Sequence, residues 1–187
     1  MLKHYPKETA RYDTRAEPPA SINKILDVVA KSAYNNNRAY EGCTRCVIDA
    51  LQQHLHLVDD YKEYKTVLKA STGLAAGVAR KGETCGALIG AIMGVGLVAG
   101  TEHLDDFENY VKAMEAARKV FENFKKHFGT VKCTEIQEKV LGRSYDFFKE
   151  EDREAWYKDG GLDACPGVCA IAARTAAEII LELRGKR

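Results

Sequence analysis

The sequence predicts an all-α fold: a compact multi-helix domain around a central glycine-rich helix, preceded by an N-terminal arm. No proline occurs between Ala20 and Cys165, and proline is the usual breaker of a helix interior. Apolar residues recur at helical spacing in most segments, and no segment alternates apolar and polar residues as a half-buried strand does. No hairpin dipeptide separates β-branched runs, and no internal repeat is present.

Length and composition indicate one folded domain behind the arm. The chain has 187 residues, of which 45% are hydrophobic and 29% charged, a profile typical of soluble globular proteins. Residues 1–20 hold three of the four prolines and many charges, which predicts a surface arm before a single domain over 21–187. The 28 basic and 27 acidic residues leave a net charge of +1. We therefore expect no nucleic-acid partner.

Three amphipathic helices are predicted before the glycine-rich region. Ser21–Tyr34 repeats apolar residues every three or four positions and is predicted to end at the three asparagines 35–37. Cys43–Leu57 carries an apolar stripe of valine, isoleucine and leucine, and Asp59–Ala70 is predicted to be a third helix.

The glycine-rich region predicts the central helix. Eight of the fifteen glycines lie within residues 73–100, first in a loop and then in the uncharged segment Thr84–Thr101. That segment approaches the length of a membrane span, but acidic residues flank it and no aromatic belt is present, so we expect no membrane insertion. Gly86, Gly90 and Gly94 recur every four residues. Such a bare face suits a neighbouring backbone, a cofactor or a subunit contact.

Four helices are predicted after this region. Leu104–Phe128 is the longest amphipathic segment, a capping box at 134–137 opens a short helix, and Glu150–Lys158 is a polar helix. The last helix is Pro166–Arg184, because proline is favoured at the first helical position. The apolar side of the longest helix is predicted to consist of Phe107, Val111, Met114, Val120, Phe121 and Phe124.

The six cysteines are informative through their positions. Four are predicted at helix beginnings, with Cys165 as an N-cap before Pro166. The partial positive charge of a helix N-terminus stabilises thiolate over thiol, so we expect lowered thiol pKa values and a site suited to a metal–thiolate or iron–sulfur cluster. The other two cysteines lie one turn further inside their helices. The four at helix beginnings are Cys43, Cys85, Cys133 and Cys165, and the other two are Cys46 and Cys169.

One motif resembles a known family signature. Cys85-Gly86-Ala87-x-x-Gly90, with Cys43 upstream and Cys133 downstream, resembles the C_GCAxxG_C_C family of redox-active proteins. The resemblance covers roughly residues 40–184. It implies a small, mostly helical redox protein with four characteristic cysteines. The fourth matches Cys169 best, although Cys165-Pro166 also looks like the family's frequent Cys-Pro.

The resemblance also implies a cofactor. The family is similar to the iron–sulfur part of split-Soret cytochromes, which implies an iron–sulfur cluster bound by Cys43, Cys85, Cys133 and Cys169 or Cys165. Gly86 and Gly90 belong to the same predicted binding site. No CxxCH motif is present, so no c-type haem is implied.

These observations give one leading hypothesis and two alternatives. The leading hypothesis is an electron-transfer protein that works with a redox partner protein. We expect a cytoplasmic location, since the N-terminus lacks a secretory signal. One alternative is a metal-free dithiol oxidoreductase in which Cys165 attacks and Cys169 or Cys85 resolves. The other is a structural Zn²⁺ site of four thiolates. A two-fold homodimer is the default oligomer.

Overall fold

Helices account for most of residues 22–185, the part of the chain that the computed structural model describes. The predicted arm, residues 1–20, lies outside these residues. Within them, eight α-helices follow one another and no strand is formed. The helices are α1 (Ile22–Ala39), α2 (Cys43–Leu55), α3 (Tyr61–Ser71), α4 (Gly86–Ala99), α5 (Phe107–Phe128), α6 (Cys133–Leu141), α7 (Glu150–Lys158) and α8 (Gly161–Leu183).

The glycine-rich helix α4 lies at the centre, as predicted. It packs against α2, α5 and α8, and α8 in turn packs against α1. Leu88 and Val95 of α4 are fully buried, each contributing about 1.5–3 kcal/mol. Among the described helices, α8 alone is long and apolar enough to cross a membrane by length and composition, and 56% of its most apolar window is buried within the fold.

The glycine stripe of α4 serves contact with α2. A Cβ atom added to Gly90 would lie 2.5 Å from the carbonyl oxygen of Thr44, and one added to Gly94 would overlap the side chain of Leu51. Glycine therefore lets the two helices approach more closely than any other residue would. Of the uses expected for the bare face, contact with a neighbouring helix is the one found at these two positions.

The last helix begins five residues earlier than predicted. It starts at Gly161, after Gly160 in the left-handed region (φ 89°), so Pro166 is its sixth residue and not its first. A proline here removes one backbone hydrogen bond, and its complete burial against the core helps to offset that loss. Cys165 is consequently the fifth residue of α8, and the prediction that it is an N-cap is wrong.

Other helix boundaries also differ from the predicted ones, each for a local reason. α1 continues through residues 35–37 because the Asn36 amide donates a hydrogen bond of 2.9 Å to Asp49 on α2, which offsets the low helix propensity of asparagine. The predicted capping box is not formed, since α6 begins at Cys133. Thr134 instead donates its hydroxyl to the carbonyl of Gly82 at 3.3 Å.

Helix α5 has two apolar faces where one was predicted. Val120 and Phe124 are buried against the core, as expected. The other four residues assigned to the inward side are exposed on a separate face. The prediction was wrong because helical spacing identifies apolar residues without showing which of them meet the core. The four exposed residues are Phe107, Val111, Met114 and Phe121.

Candidate functional site

Five of the six cysteines line one cavity of about 650 Å³. The cavity lies where the N-terminal ends of α2, α4 and α6 meet the second turn of α8. The structure thus brings together every cysteine predicted for the site, a convergence that sequence spacing alone does not prove. The five are Cys43 (first residue of α2), Cys85 (N-cap of α4), Cys133 (first residue of α6), and Cys165 and Cys169 on α8.

Cys43 is the common neighbour of the other thiols. A thiolate there raises the pKa of all five other cysteines, which no other thiol does. Such coupling weakens with distance, so Cys43 lies within electrostatic range of each of the other thiols. Cys46 is the one cysteine outside the cavity lining, and its thiol donates a hydrogen bond to the carbonyl of Tyr40 at 3.7 Å. Cys43 and Cys46 form a CxxC spacing in the sequence, but the first lines the cavity and the second contacts the end of α1.

Burial raises the thiol pKa values, contrary to the prediction from helix N-termini. The pKa of Cys165 is raised to about 11 and that of Cys133 to about 12, with loss of hydration as the largest cause in each case. Backbone N–H groups of Ala87 and Leu88 at the start of α4 do lower the pKa of Cys85, but burial outweighs them and the net shift is strongly upward. The metal-free thiols are therefore protonated at neutral pH.

Hydrogen-bond donors nevertheless surround the sulfur atoms. The buried Gln137 amide donates to the Cys133 sulfur at 3.5 Å while its oxygen accepts from the backbone N–H of Tyr145 at 3.0 Å, which fixes the amide orientation. The backbone N–H of Ala76 points towards Cys43 and lowers its pKa. The Trp156 indole lowers the pKa of Cys165, although its N–H makes no hydrogen bond of good geometry.

A left-handed turn closes one side of the cavity. All five residues from Ala76 to Arg80 have positive φ values between 50° and 74°, and only one of them is glycine. Left-handed backbone costs about 1–2 kcal/mol for each residue other than glycine. Arg80 holds the turn in place through Glu41 at 2.9 Å and the carbonyl of Phe147 at 3.3 Å. Concentrated strain of this kind is typical of functional sites.

Gly86 and Gly90 contribute through packing. Neither lines the cavity. A Cβ atom at Gly86 would lie 2.5 Å from the Cys43 sulfur, so glycine at this position lets α4 approach that thiol. Gly90 contacts α2 further along the helix, as described above.

Sequence reasoning missed several residues of this cavity. Trp156, Arg45 and Arg153 line it but belong to no motif. Trp156 is the single tryptophan of the chain, and a tryptophan within a polar helix was the one available signal.

The thiols are not arranged around one point. Within residues 22–185, no group of three His, Cys, Asp or Glu side chains is placed to hold a single metal ion. A tetrahedral zinc site with bonds of about 2.3 Å requires its sulfur atoms about 3.8 Å apart. The five thiols instead line a cavity of about 650 Å³.

Comparison with known proteins identifies the family of the chain. The family model named "Putative redox-active protein (C_GCAxxG_C_C)" matches residues 27–179, most of the chain and all six cysteines. The chain belongs to this family. The curated proteins and the solved structures gave no match. All five cysteines that line the cavity lie within the residues matched by the C_GCAxxG_C_C model.

Proposed function

We propose that this C_GCAxxG_C_C protein transfers electrons through an iron–sulfur cluster bound in the five-cysteine cavity. The observation that carries the proposal is the convergence of five thiols from four helices on one cavity. Cys43, Cys85 and Cys133 are proposed as ligands, with Cys165 or Cys169 as the fourth. Such a cluster, when bound, supplies one-electron chemistry.

The lack of a compact single-ion site among residues 22–185 favours a cluster over the zinc alternative. One zinc ion draws four sulfur atoms to a single point, whereas the thiolates of a four-iron cluster each bind a different iron atom and lie further apart. The absence of any three-residue single-ion site in the described chain agrees with the wider arrangement. Bound iron would displace the thiol protons, because metal ligation requires thiolate.

The metal-free dithiol alternative receives less support. An attacking thiol works best with a pKa near ambient pH, and Cys165 has a pKa raised to about 11 by burial. Cys169, its proposed partner, is completely buried, and loss of hydration raises its pKa well above the usual value for a thiol. Neither thiol is prepared for exchange in the folded chain.

The protein's own residues have definable parts in the proposed site. Gln137 donates to the Cys133 sulfur, and the first N–H groups of α4 lie against Cys85. Hydrogen bonds to cluster sulfur raise the reduction potential, so these donors set its value. The left-handed turn 76–80 forms one side of the proposed site. We further propose a redox partner protein and a cytoplasmic location, where free thiols persist.

The test is an anaerobic purification of the full chain with single Cys→Ser variants. We expect brown protein with iron, acid-labile sulfide and a broad absorption band, and loss of most iron in Cys43→Ser, Cys85→Ser and Cys133→Ser. Cys46→Ser is the matched control and retains iron, because Cys46 lies outside the cavity. Cys165→Ser and Cys169→Ser identify the fourth ligand. Colourless wild-type protein without iron after cluster reconstitution rejects the proposal.

A further inference from the structure

The cavity has a second chemical surface made of guanidinium groups and aromatic rings. Four arginines line it against a single acidic residue, Glu41. Arg80 pairs with that carboxylate at 2.9 Å, and Arg38 pairs with Asp163 at 3.5 Å. The two remaining arginines, Arg45 and Arg153, differ from these.

Arg45 and Arg153 carry charge without a carboxylate partner. Both are partly buried, and their hydrogen bonds run to the neutral carbonyl groups of Glu41 and Phe147, each at 3.1 Å. Among the described residues, neither guanidinium has a carboxylate within 4.0 Å. Partly buried cations of this kind favour an anion, and guanidinium binds carboxylate, sulfonate or phosphate through paired N–H groups.

The thiols do not supply that anion. The groups that shift the pKa of Cys133 and Cys165 are other thiols, Gln137 and Trp156, and no described guanidinium is among them. The hydrogen bonds of Arg45 and Arg153 likewise run to carbonyl oxygens and not to these two thiols.

The aromatic residues and the volume define the rest of the ligand. Trp156 and Phe147 meet edge to face with ring centres 5.7 Å apart and line the cavity together with Tyr40. Tyr40 is 56% exposed at the edge of the cavity. Aromatic faces pack well against flat unsaturated molecules. A volume of about 650 Å³ lies within the range of small-molecule sites.

We propose that the mouth of the cavity binds a small organic anion with a flat aromatic or conjugated body, its anionic group held by Arg45 and Arg153. The ligand would lie beside the thiols, which makes it a candidate electron donor or acceptor for the proposed cluster. Only that role rests on the proposed function. Binding itself is independent of metal.

The test uses a fluorescent anion and its neutral counterpart. Anilinonaphthalene sulfonate and uncharged phenylnaphthylamine are titrated into metal-free full-length protein, with energy transfer from Trp156, the one tryptophan, as the readout. In the double variant Arg45→Gln/Arg153→Gln we expect the dissociation constant of the sulfonate to rise about tenfold or more. The constant for phenylnaphthylamine should stay unchanged. The Phe147 carbonyl retains Arg80 as a donor, which limits structural damage.

Arg174→Gln is the matched control, because this arginine lies on α8 and lines neither the cavity nor the apolar groove on α5. Equal sulfonate affinity in wild type and double variant overturns the proposal. So does an equal loss for the neutral probe, or the same loss in Arg174→Gln. Because the titration contains no iron, its failure is distinct from failure to bind a cluster.

A second, independent inference concerns the exposed face of α5. Phe107, Met114 and Phe121 lie seven residues apart and are 73%, 53% and 36% exposed. Tyr110 lies between Phe107 and Met114 on this face. A groove of about 580 Å³ is lined by Tyr110, Met114 and Phe121 together with Ile92 of α4. A seven-residue apolar repeat is the pattern of a helix that packs against another helix.

The charges along α5 indicate what covers this face. Of the five charged residues from Asp105 to Glu115, four are acidic, and of the five from Arg118 to Lys126, four are basic. An antiparallel crossing of two copies near Met114 therefore places the basic half of each α5 beside the acidic half of the other. Phe107 of one copy then meets Phe121 of the other.

We infer that α5 forms a two-fold homodimer with a second copy of the chain. Sedimentation of the full chain should show a dimer that weakens as salt rises, because the complementary charges are screened. Met114→Glu should raise the dimer dissociation constant at least about tenfold, since two like charges meet at the axis. Val140→Glu on α6, equally an exposed apolar position, should leave it unchanged. A wild-type monomer, or a dimer insensitive to Met114→Glu, overturns the inference.

Discussion

A Cβ atom at position 86 would lie 2.5 Å from the Cys43 sulfur, so only glycine permits the beginning of α4 to meet the Cys43 thiol. The same atom would lie 2.8 Å from the Thr44 hydroxyl and 2.9 Å from the Leu74 carbonyl. The motif glycine after Cys85 thus follows from close packing on three sides. Its chemical consequence is the placement of Cys43 and Cys85 side by side.

Gly86→Ala should destabilise the protein and disturb the cavity. Overpacking of a close-packed core costs about 1–3 kcal/mol, and here the alanine methyl group would also displace Cys43. We expect a lower urea midpoint together with loss of most bound iron under the reconstitution conditions described above.

Gly96→Ala is the matched control on the same helix. Nothing lies within 4 Å of a Cβ atom added at Gly96. The substitution should stabilise the protein by about 0.5–1 kcal/mol, because alanine loses less backbone entropy than glycine in a helix. Equal effects of the two substitutions would contradict the packing account.

Much of the fold could be predicted from local pattern, and the errors share one physical origin. Apolar spacing, together with the uncharged glycine-rich segment, the capping-box pattern and a polar helical stretch, predicted eight helices where eight are found, and Glu150–Lys158 has its predicted bounds. Pro166 was misplaced because a proline is tolerated inside the second turn when burial offsets one lost hydrogen bond. The prediction assigned the apolar residues of α5 to one face, whereas the helix has two, because spacing does not show which face meets the core. In each case tertiary contact decided what local sequence left open.

The candidate site, like the fold, could be predicted from the sequence only in part. The cysteines and the motif glycines could be named from the sequence, because their positions carry a family pattern. The sign of the thiol pKa shifts could not, since it depends on how much water folding removes from Cys43 and Cys85. The sequence did not predict the cavity residues Arg45, Arg153 and Trp156, because the fold brings them together from distant segments of the chain.

Stability of the metal-free protein should fall as pH rises above about 8.5. Unfolded thiols ionise near about 8.5, whereas Cys165 and Cys133 have folded pKa values of about 11 and about 12. The unfolded chain then binds fewer protons than the folded one, so the stabilisation present at neutral pH is lost between these values. Each thiol contributes about 1.4 kcal/mol per pH unit in that range.

Urea unfolding across this pH range measures the effect. Cys133→Ser should remove the contribution of one thiol from the pH dependence of the unfolding free energy. This tests the raised pKa assigned to Cys133. A free energy of unfolding that stays constant or rises with pH over this range would show that the thiols are not buried as described.

Gly161→Ala should displace Trp156 from the cavity wall. A Cβ atom at Gly161 would overlap the indole ring, whereas nothing lies within 4 Å of one added at Gly167, six residues further along α8. The indole must therefore move outwards in Gly161→Ala. Since Trp156 is the only tryptophan, its emission reports that movement directly.

We expect a red-shifted emission maximum and stronger iodide quenching in Gly161→Ala, with Gly167→Ala unchanged. Outward movement of Trp156 also removes one wall of the proposed anion site, so the sulfonate probe should bind about tenfold more weakly in Gly161→Ala. Unchanged emission in Gly161→Ala would mean that the indole does not pack on the start of α8. The cavity would then lack the aromatic wall on which ligand stacking depends.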